Sequence, residues 1–390
     1  MKVRRLLVVL VLLFGALGMT AAERRVSLIR TPGEGIQPQA AMDDHGVLHL
    51  IYFRGDAAGG DVFYVRRNPG QTASSQPIFS QPMQVNSQPG SVIATGTVRG
   101  AHLAVGKNGR VHVAWMGSNR AKPRGPRDAA PMLYTRMNRA GTAFEPQRNV
   151  MQFAEGLDGG GSVAADESGN VFVAWHGRGS IPGEENRRVW MAVSHDDGQT
   201  FLREVAASPE PVGACGCCGM RAFADHRGGL YMLYRAATQR VDRDMSLLVS
   251  KDGGRTFRME RIHKWKIEAC PMSTASIVRG QRVGQPGVLV SWETQGQVYY
   301  ATEDSGVSQA VAAPGESGSR KHPVVASNSQ GETILVWTEG TKWNQGGSLA
   351  WQVFDAAGRP LGEKGQVPGI PAWSLAAVYP RTDGGFEIIY

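Results

Sequence analysis

Cysteine is scarce, with four in 390 residues, which excludes a small disulfide-stapled scaffold. Long hydrophobic runs are scarcer still: the longest, residues 6–19, falls short of the roughly 20 residues that cross a bilayer, so no membrane span is expected. Positive charge is plentiful but not gathered. The 33 Arg and 9 Lys contain no run of four, so no nucleic-acid partner is expected. A helical period is missing from every segment. What remains is a 42% hydrophobic, 19% charged chain that can bury a large core.

The first segment reads as an address. Lys2, Arg4 and Arg5 precede the apolar run, and Thr20-Ala21-Ala22 supplies small residues for a signal peptidase. The expectation is a leader over residues 1–22, cleaved near Ala22, and one domain over residues 23–390, secreted or periplasmic. Cleavage removes three cations and lowers the formal charge from +8 to +5.

A repeat dominates the rest. Gly, then alternating apolar residues, then Trp or Tyr, recurs and closes at Tyr52, Trp115, Trp175, Tyr234, Trp292 and Trp337. Each unit is preceded by a short apolar segment, as at Ser162-Val163-Ala164-Ala165, and followed by a third strand such as Val189-Trp190-Met191-Ala192-Val193. Two third strands end alike, in Ser194-His195-Asp196-Asp197-Gly198-Gln199-Thr200-Phe201 and Ser250-Lys251-Asp252-Gly253-Gly254-Arg255-Thr256-Phe257. Both carry the chemistry of a tight turn: Ser194, Asp196 and Thr200, like Ser250, Asp252 and Thr256, bond local backbone, while Gly198 and Gly254 accept positive φ. Degenerate copies occupy residues 138–144 and 303–308. Such spacing predicts an all-β chain forming a single β-propeller of four-stranded blades.

The two octapeptides resemble the Asp-box of the sialidase-like (neuraminidase) propellers, and the resemblance runs from about Gln37 to Tyr390. It implies six blades, and six complete repeats are present. A C-terminal half-repeat over residues 383–390 can pair with residues 26–30 to close a seventh, and seven is favoured over six.

Propeller sites lie around the axis, where inner strands begin. The side chains just ahead of those strands are Gln37 and Gln39; Arg99 and His102; Asp158; Cys217, Cys218 and Arg221; Cys270 and Met272; Lys321 and His322. Residues following the repeat aromatics add His176, Arg235, Glu293 and Glu339. Asp158-Gly159-Gly160-Gly161 also allows a close backbone approach. Cys215-Gly216-Cys217-Cys218 at one blade and Cys270-Pro271-Met272 at the next carry the sharpest signal. Any pairing of four such cysteines forces one bridge between residues at most three apart. Disulfides therefore stand level with a copper or zinc site built from Cys215, Cys217, Cys218, Cys270 and Met272, with a redox-active pair as a third reading.

The resemblance implies an exo-acting glycoside hydrolase on anionic, sialic-acid-like glycans that needs no cofactor. Arg99, Arg221, Arg235 and His176 then bind a glycan or small anionic ligand, and Asp158 and Glu293 carry the proton chemistry. The family's Arg-Ile-Pro element is absent and no Tyr/Glu pair carries over by motif. The alternatives are the copper- or zinc-binding propeller and a non-catalytic glycan- or protein-binding propeller using Trp265, Trp343 and Trp373.

Overall fold

A computed structural model describes residues 25–71, 78–280, 287–303 and 309–390. The leader and most of the 303–308 turn lie outside the described residues. Seven sheets form a closed ring: six have four antiparallel strands in sequence order, and the seventh has three. The helical pieces among the described residues are four three-residue 3-10 turns, and no helix is long and apolar enough to cross a membrane.

Each blade follows from period-2 alternation. In blade 2 the strand Val111–Met116 pairs on one side with His102–Val105 and on the other with Met132–Arg136. Its alternate side chains face opposite neighbours: Val111, Val113 and Trp115 pack on Ile51, Phe53 and Tyr64 of blade 1, whereas Ala114 packs with Val163 and Trp175 of blade 3. The core is thus a series of inter-blade layers. The repeat aromatics Tyr52, Trp115, Trp175, Tyr234, Trp292 and Trp337 all lie buried in second strands.

Closure uses both ends of the described chain. Val26–Ile29 pairs in parallel with Phe386–Ile389, which pairs antiparallel with the innermost strand Ala377–Pro380. This makes the seventh blade, in accord with the favoured reading. Arg67 of blade 1 seals the joint by reaching Glu387 at 2.6 Å and the Tyr379 hydroxyl at 2.5 Å.

The two octapeptides fold into superimposable turns. Ser194 Oγ donates to Asp196 Oδ1 (2.7 Å) and accepts from Gly198 N–H (2.9 Å), while Asp196 accepts from Thr200 N–H (2.8 Å) and its hydroxyl (2.7 Å). Ser250, Asp252, Gly254 and Thr256 repeat every one of these bonds. Gly198 has φ +75° and a Cβ there would meet the Tyr134 hydroxyl at 1.8 Å, so only glycine fits. Because third strands run away from the inner-strand starts, both turns sit on the ring face opposite the thiols.

Candidate functional site

The N-terminal ends of the inner strands gather the cysteines. After the outer strand of blade 3, Cys215–Cys218 lead towards the inner strand of blade 4 as a turn held by Cys215 N–H to Arg235 O (2.9 Å), at the end of that blade's second strand, and by Cys218 N–H to Cys215 O (3.3 Å). This turn stacks three thiols: Cys215 Sγ lies 3.2 Å from Cys217 Sγ and 3.5 Å from Cys218 Sγ. All three sulfurs lie within 4.8 Å of one another. Cys215 and Cys218 are buried and Cys217 is half-buried; all four cysteines are unbridged. Cys270 is the exception to the expected set. It is exposed and outside the cluster, whereas the next residue, Pro271, is buried.

Cys218 carries the negative charge most readily. Burial pushes its thiol up, but hydrogen bonds from Cys215 and Cys217, the Arg235 guanidinium and the Ser273 N–H outweigh that and hold it well below the usual thiol value. Cys217 is pushed up, chiefly because its thiol hydrogen-bonds with Cys215 and Cys218.

His176 borders the cluster. Its ring is fully buried and neither nitrogen has a hydrogen-bond partner. Burial, then the nearby Arg187, draws it down to about 4, so it is a neutral imidazole with a free lone pair. Gly159, with φ +73°, admits this contact: a Cβ at that position would strike Gly216 O at 2.4 Å, His176 Nδ1 at 2.9 Å and Cys218 O at 3.0 Å. Gly160 does the same against Val98 O at 2.8 Å. The glycine run therefore lets the Asp158 loop seat on the cysteine turn.

Two of the expected anion-binding arginines are committed inside the protein. Arg235 is 1% exposed, donates to Arg243 O (2.8 Å) and to Glu293 O, and lies 3.5 Å from the Glu293 carboxylate. Burial raises Glu293 to about 7 against the pull of Arg235, and its Oε2 accepts no hydrogen bond. Arg221 reaches from blade 4 to Gln39 of blade 1 and donates to Ala275 O (3.2 Å), and enclosure draws its guanidinium down to about 10. It floors the site. Arg221 lines an axial cavity of about 650 Å³ that also reaches Asp44, His45, Glu167 and His226 on the opposite face.

Arg99 differs. It pairs with Asp158 at 2.8 Å, and the other Asp158 oxygen lies 3.6 Å from Arg187. The Asp158 side chain remains 37% exposed, and Arg99 stacks over Trp343, itself 41% exposed. The other candidates are structural: His322 accepts from Thr274 N–H (3.3 Å), Gln37 donates to Ala94 O (2.6 Å) and Trp373 O (2.7 Å), and Glu339 pairs with Arg320 (3.2 Å). His102 is buried, Lys321 sits on the first strand of blade 6, and Trp265 covers Arg235 at 5.1 Å. The reading from sequence missed Glu184, which accepts from Gly216 N–H (3.1 Å) and pairs with Arg243 (2.8 Å).

Comparison of the fold settles its class. The NanB sialidase of Streptococcus pneumoniae superposes with a TM-score of 0.53 at 10% identity over 89% of this chain and 81% of its own. The chain has the sialidase-like propeller fold. An α-L-arabinanase of Penicillium chrysogenum matches with a TM-score of 0.51 at 12% identity, covering 84% of this chain and 95% of that one. A protein of unknown function from Dyadobacter fermentans matches with a TM-score of 0.52 at 13% identity, covering 84% and 96%. No family model matches the sequence, and no curated protein does. The shared architecture is one on which glycoside hydrolases are built, and at these identities it is the architecture that is shared.

Proposed function

We propose that the mature chain is an exported propeller whose clustered thiols hold one soft d10 cation, copper(I) or zinc(II). The observation that carries this reading is the convergence of Cys215, Cys217 and Cys218 within 4.8 Å. Thiolates are the donors such ions prefer, and the cluster is lined by guanidiniums that offset the anionic charge a trithiolate complex carries. Arg235 and Arg243 act on Cys218 and Cys215 respectively. His176 supplies a further neutral donor beside the cluster, in the protonation state that metal binding requires. The test is anaerobic titration of the reduced full chain with copper(I) and, separately, zinc(II). One equivalent bound, with a thiolate-to-metal absorption band absent from Cys217→Ser, is expected. A cluster that takes up neither ion, or that isolates as a bridged pair and stays metal-free after reduction, overturns the reading.

A second reading is favoured by the rim. Asp158, partly exposed between Arg99 and Arg187, and the exposed Trp343 offer a carboxylate, guanidiniums and a stacking face, the elements that hold an anionic sugar. Retention on immobilised sialylated or uronic glycans, weakened about tenfold by Trp343→Ala, is the expected outcome. Aryl-sialoside cleavage that is lost in Asp158→Asn while retention persists would assign Asp158 the proton chemistry. No retention and no cleavage would sink this reading and leave the thiols untouched.

A further inference from the structure

We propose that the axial cavity holds a short extended peptide with free termini, its C-terminal carboxylate on Arg221 and its N-terminal ammonium at an acidic mouth. This site is independent of the thiols and opens on the ring face that carries the two octapeptide turns. At about 650 Å³ the cavity has the size of a small-molecule site, and it follows the inner strands from Gln39 and Arg221 to Asp44, Glu167 and His226. No residue ahead of Gln39 or Arg221 on their two strands lines it, and at that level the hydrogen bond from Arg221 to Gln39 crosses the ring from blade 4 to blade 1. The pair closes one end of the cavity.

Arg221 carries a charge that the protein does not match. Its Nε donates to Ala275 O (3.2 Å) and its Nη2 to Gln39, but Nη1 bonds no protein group and no carboxylate pairs with the guanidinium among the described residues. The enclosed arginines elsewhere are treated differently: Arg67 pairs with Glu387 (2.6 Å), Arg243 with Glu184 (2.8 Å) and Arg235 with Glu293 (3.5 Å). Enclosure draws Arg221 down to about 10 with no nearby anion to oppose it. A cation kept from water calls for a counter-anion, and a carboxylate matches the free edge of a guanidinium with two oxygens.

The mouth has the opposite charge. Asp43, Asp44, Asp166, Glu167 and Asp225 line it against one guanidinium, Arg279, which lies 3.3 Å from Asp44. Asp43, Asp166 and Asp225 are fixed by their turns, accepting from Val47, Asn170 and Gly229 N–H at 2.8, 2.8 and 2.7 Å, while Glu167 is exposed and bonds no protein group. A ligand anionic at one end and cationic at the other suits both ends, whereas a dianion would be repelled at the mouth. Between the ends the wall is built of strand edges. Each inner strand is the terminal strand of its sheet and pairs with no inner strand of a neighbouring blade, so its outward N–H and C=O groups have no ladder partner. An extended peptide bonds such an edge through its own main chain. The four steps from Arg221 to Asp225 span roughly 13 Å of strand, the reach of a tetrapeptide.

Calorimetric titration of the full chain with tetra-alanine at low ionic strength tests this. The free peptide is expected to bind, and C-terminal amidation is expected to weaken it about tenfold or more, the usual loss when a charge-assisted hydrogen bond is removed. N-terminal acetylation should weaken it to a smaller extent, because the mouth is open to water. An ω-aminoalkanoate of matching length, which has both charges but no amides, should bind less tightly than the peptide. Arg221→Gln should bind the free and the amidated peptide alike; should that variant not fold, the ratio of the two affinities in the wild-type chain reads the same contact. The proposal is overturned by a free peptide that does not bind, by an amidated or acetylated peptide that binds equally well, or by an ω-aminoalkanoate that matches the peptide.

Discussion

Arg235→Ala is expected to lower the free energy of unfolding by about 3–5 kcal/mol, the cost of leaving a buried charge without its partner. Arg235 is 1% and Glu293 2% exposed, so no water stands ready to replace the guanidinium. Its two terminal nitrogens also satisfy the carbonyls of Arg243 and Glu293, which would be left bare inside the protein. The Glu293 carboxyl, already raised to about 7 by burial, would respond by taking a proton, which limits the loss but does not repair those carbonyls. Arg235→Met combined with Glu293→Gln should therefore recover much of the stability, since well-packed neutral groups replace buried pairs at little cost. Guanidinium unfolding at pH 7.5 measures both. A loss below about 1 kcal/mol in the single variant would show that the pair is not the strut described here.

That strut was invisible in the sequence, and the reason is instructive. Blade strands announce themselves through a local, period-2 alternation ending in Trp or Tyr, so the ring of four-stranded blades is legible in the spacing, and the half-repeat at residues 383–390 favours a seventh blade closed by residues 26–30 over a six-bladed ring; the inter-blade packing is not legible there. The gathering of three thiols has a signal in the sequence too, because Cys215, Cys217 and Cys218 crowd four residues just ahead of one inner strand. Burial was not legible. Arg235 and Glu293 follow repeat aromatics as His176 does, and the sequence presents them as open ligands because alternation does not say which loops fold over a strand end. Arg187, Glu184 and Arg243 lie in irregular connections with no counterpart in other repeats, and their roles come from tertiary contacts alone. Cys270 is the converse case: a residue in the equivalent repeat position lies exposed and apart from the other thiols.

Acid should unfold this protein early. His112 and His322 are each held down to about 3, His112 by burial and then Arg110, His322 by burial and then Lys321, and His102 is held well below its usual value by burial and then Arg221. In the unfolded chain these rings titrate near 6.5. Below that pH the unfolded state binds protons that the folded state refuses until about 3, so stability falls as pH falls through this window. Each ring contributes a slope of about 1.4 kcal/mol per pH unit, and at pH 5 His112 and His322 together remove on the order of 4 kcal/mol, with His102 acting in the same direction. Glu293 works in the opposite direction: its raised value lets the folded state gain a proton first between about 7 and the unfolded carboxyl range, returning roughly 2–3 kcal/mol. The turn carboxylates Asp196 and Asp252, held low by their hydrogen bonds, add their own loss only below about pH 4. The histidines win above that point. The urea midpoint of the metal-free protein is therefore expected to drop between pH 7.5 and 5.0, and Glu293→Gln should steepen the drop by removing the opposing group. His112→Gln should shallow it by about one proton, although it also gives up the 2.7 Å bond to the Tyr134 hydroxyl and lowers the midpoint at pH 7.5. A midpoint constant from pH 7.5 to 5.0 would mean that these rings are hydrated in solution, and that the inter-blade layers around them are looser than the fold described here.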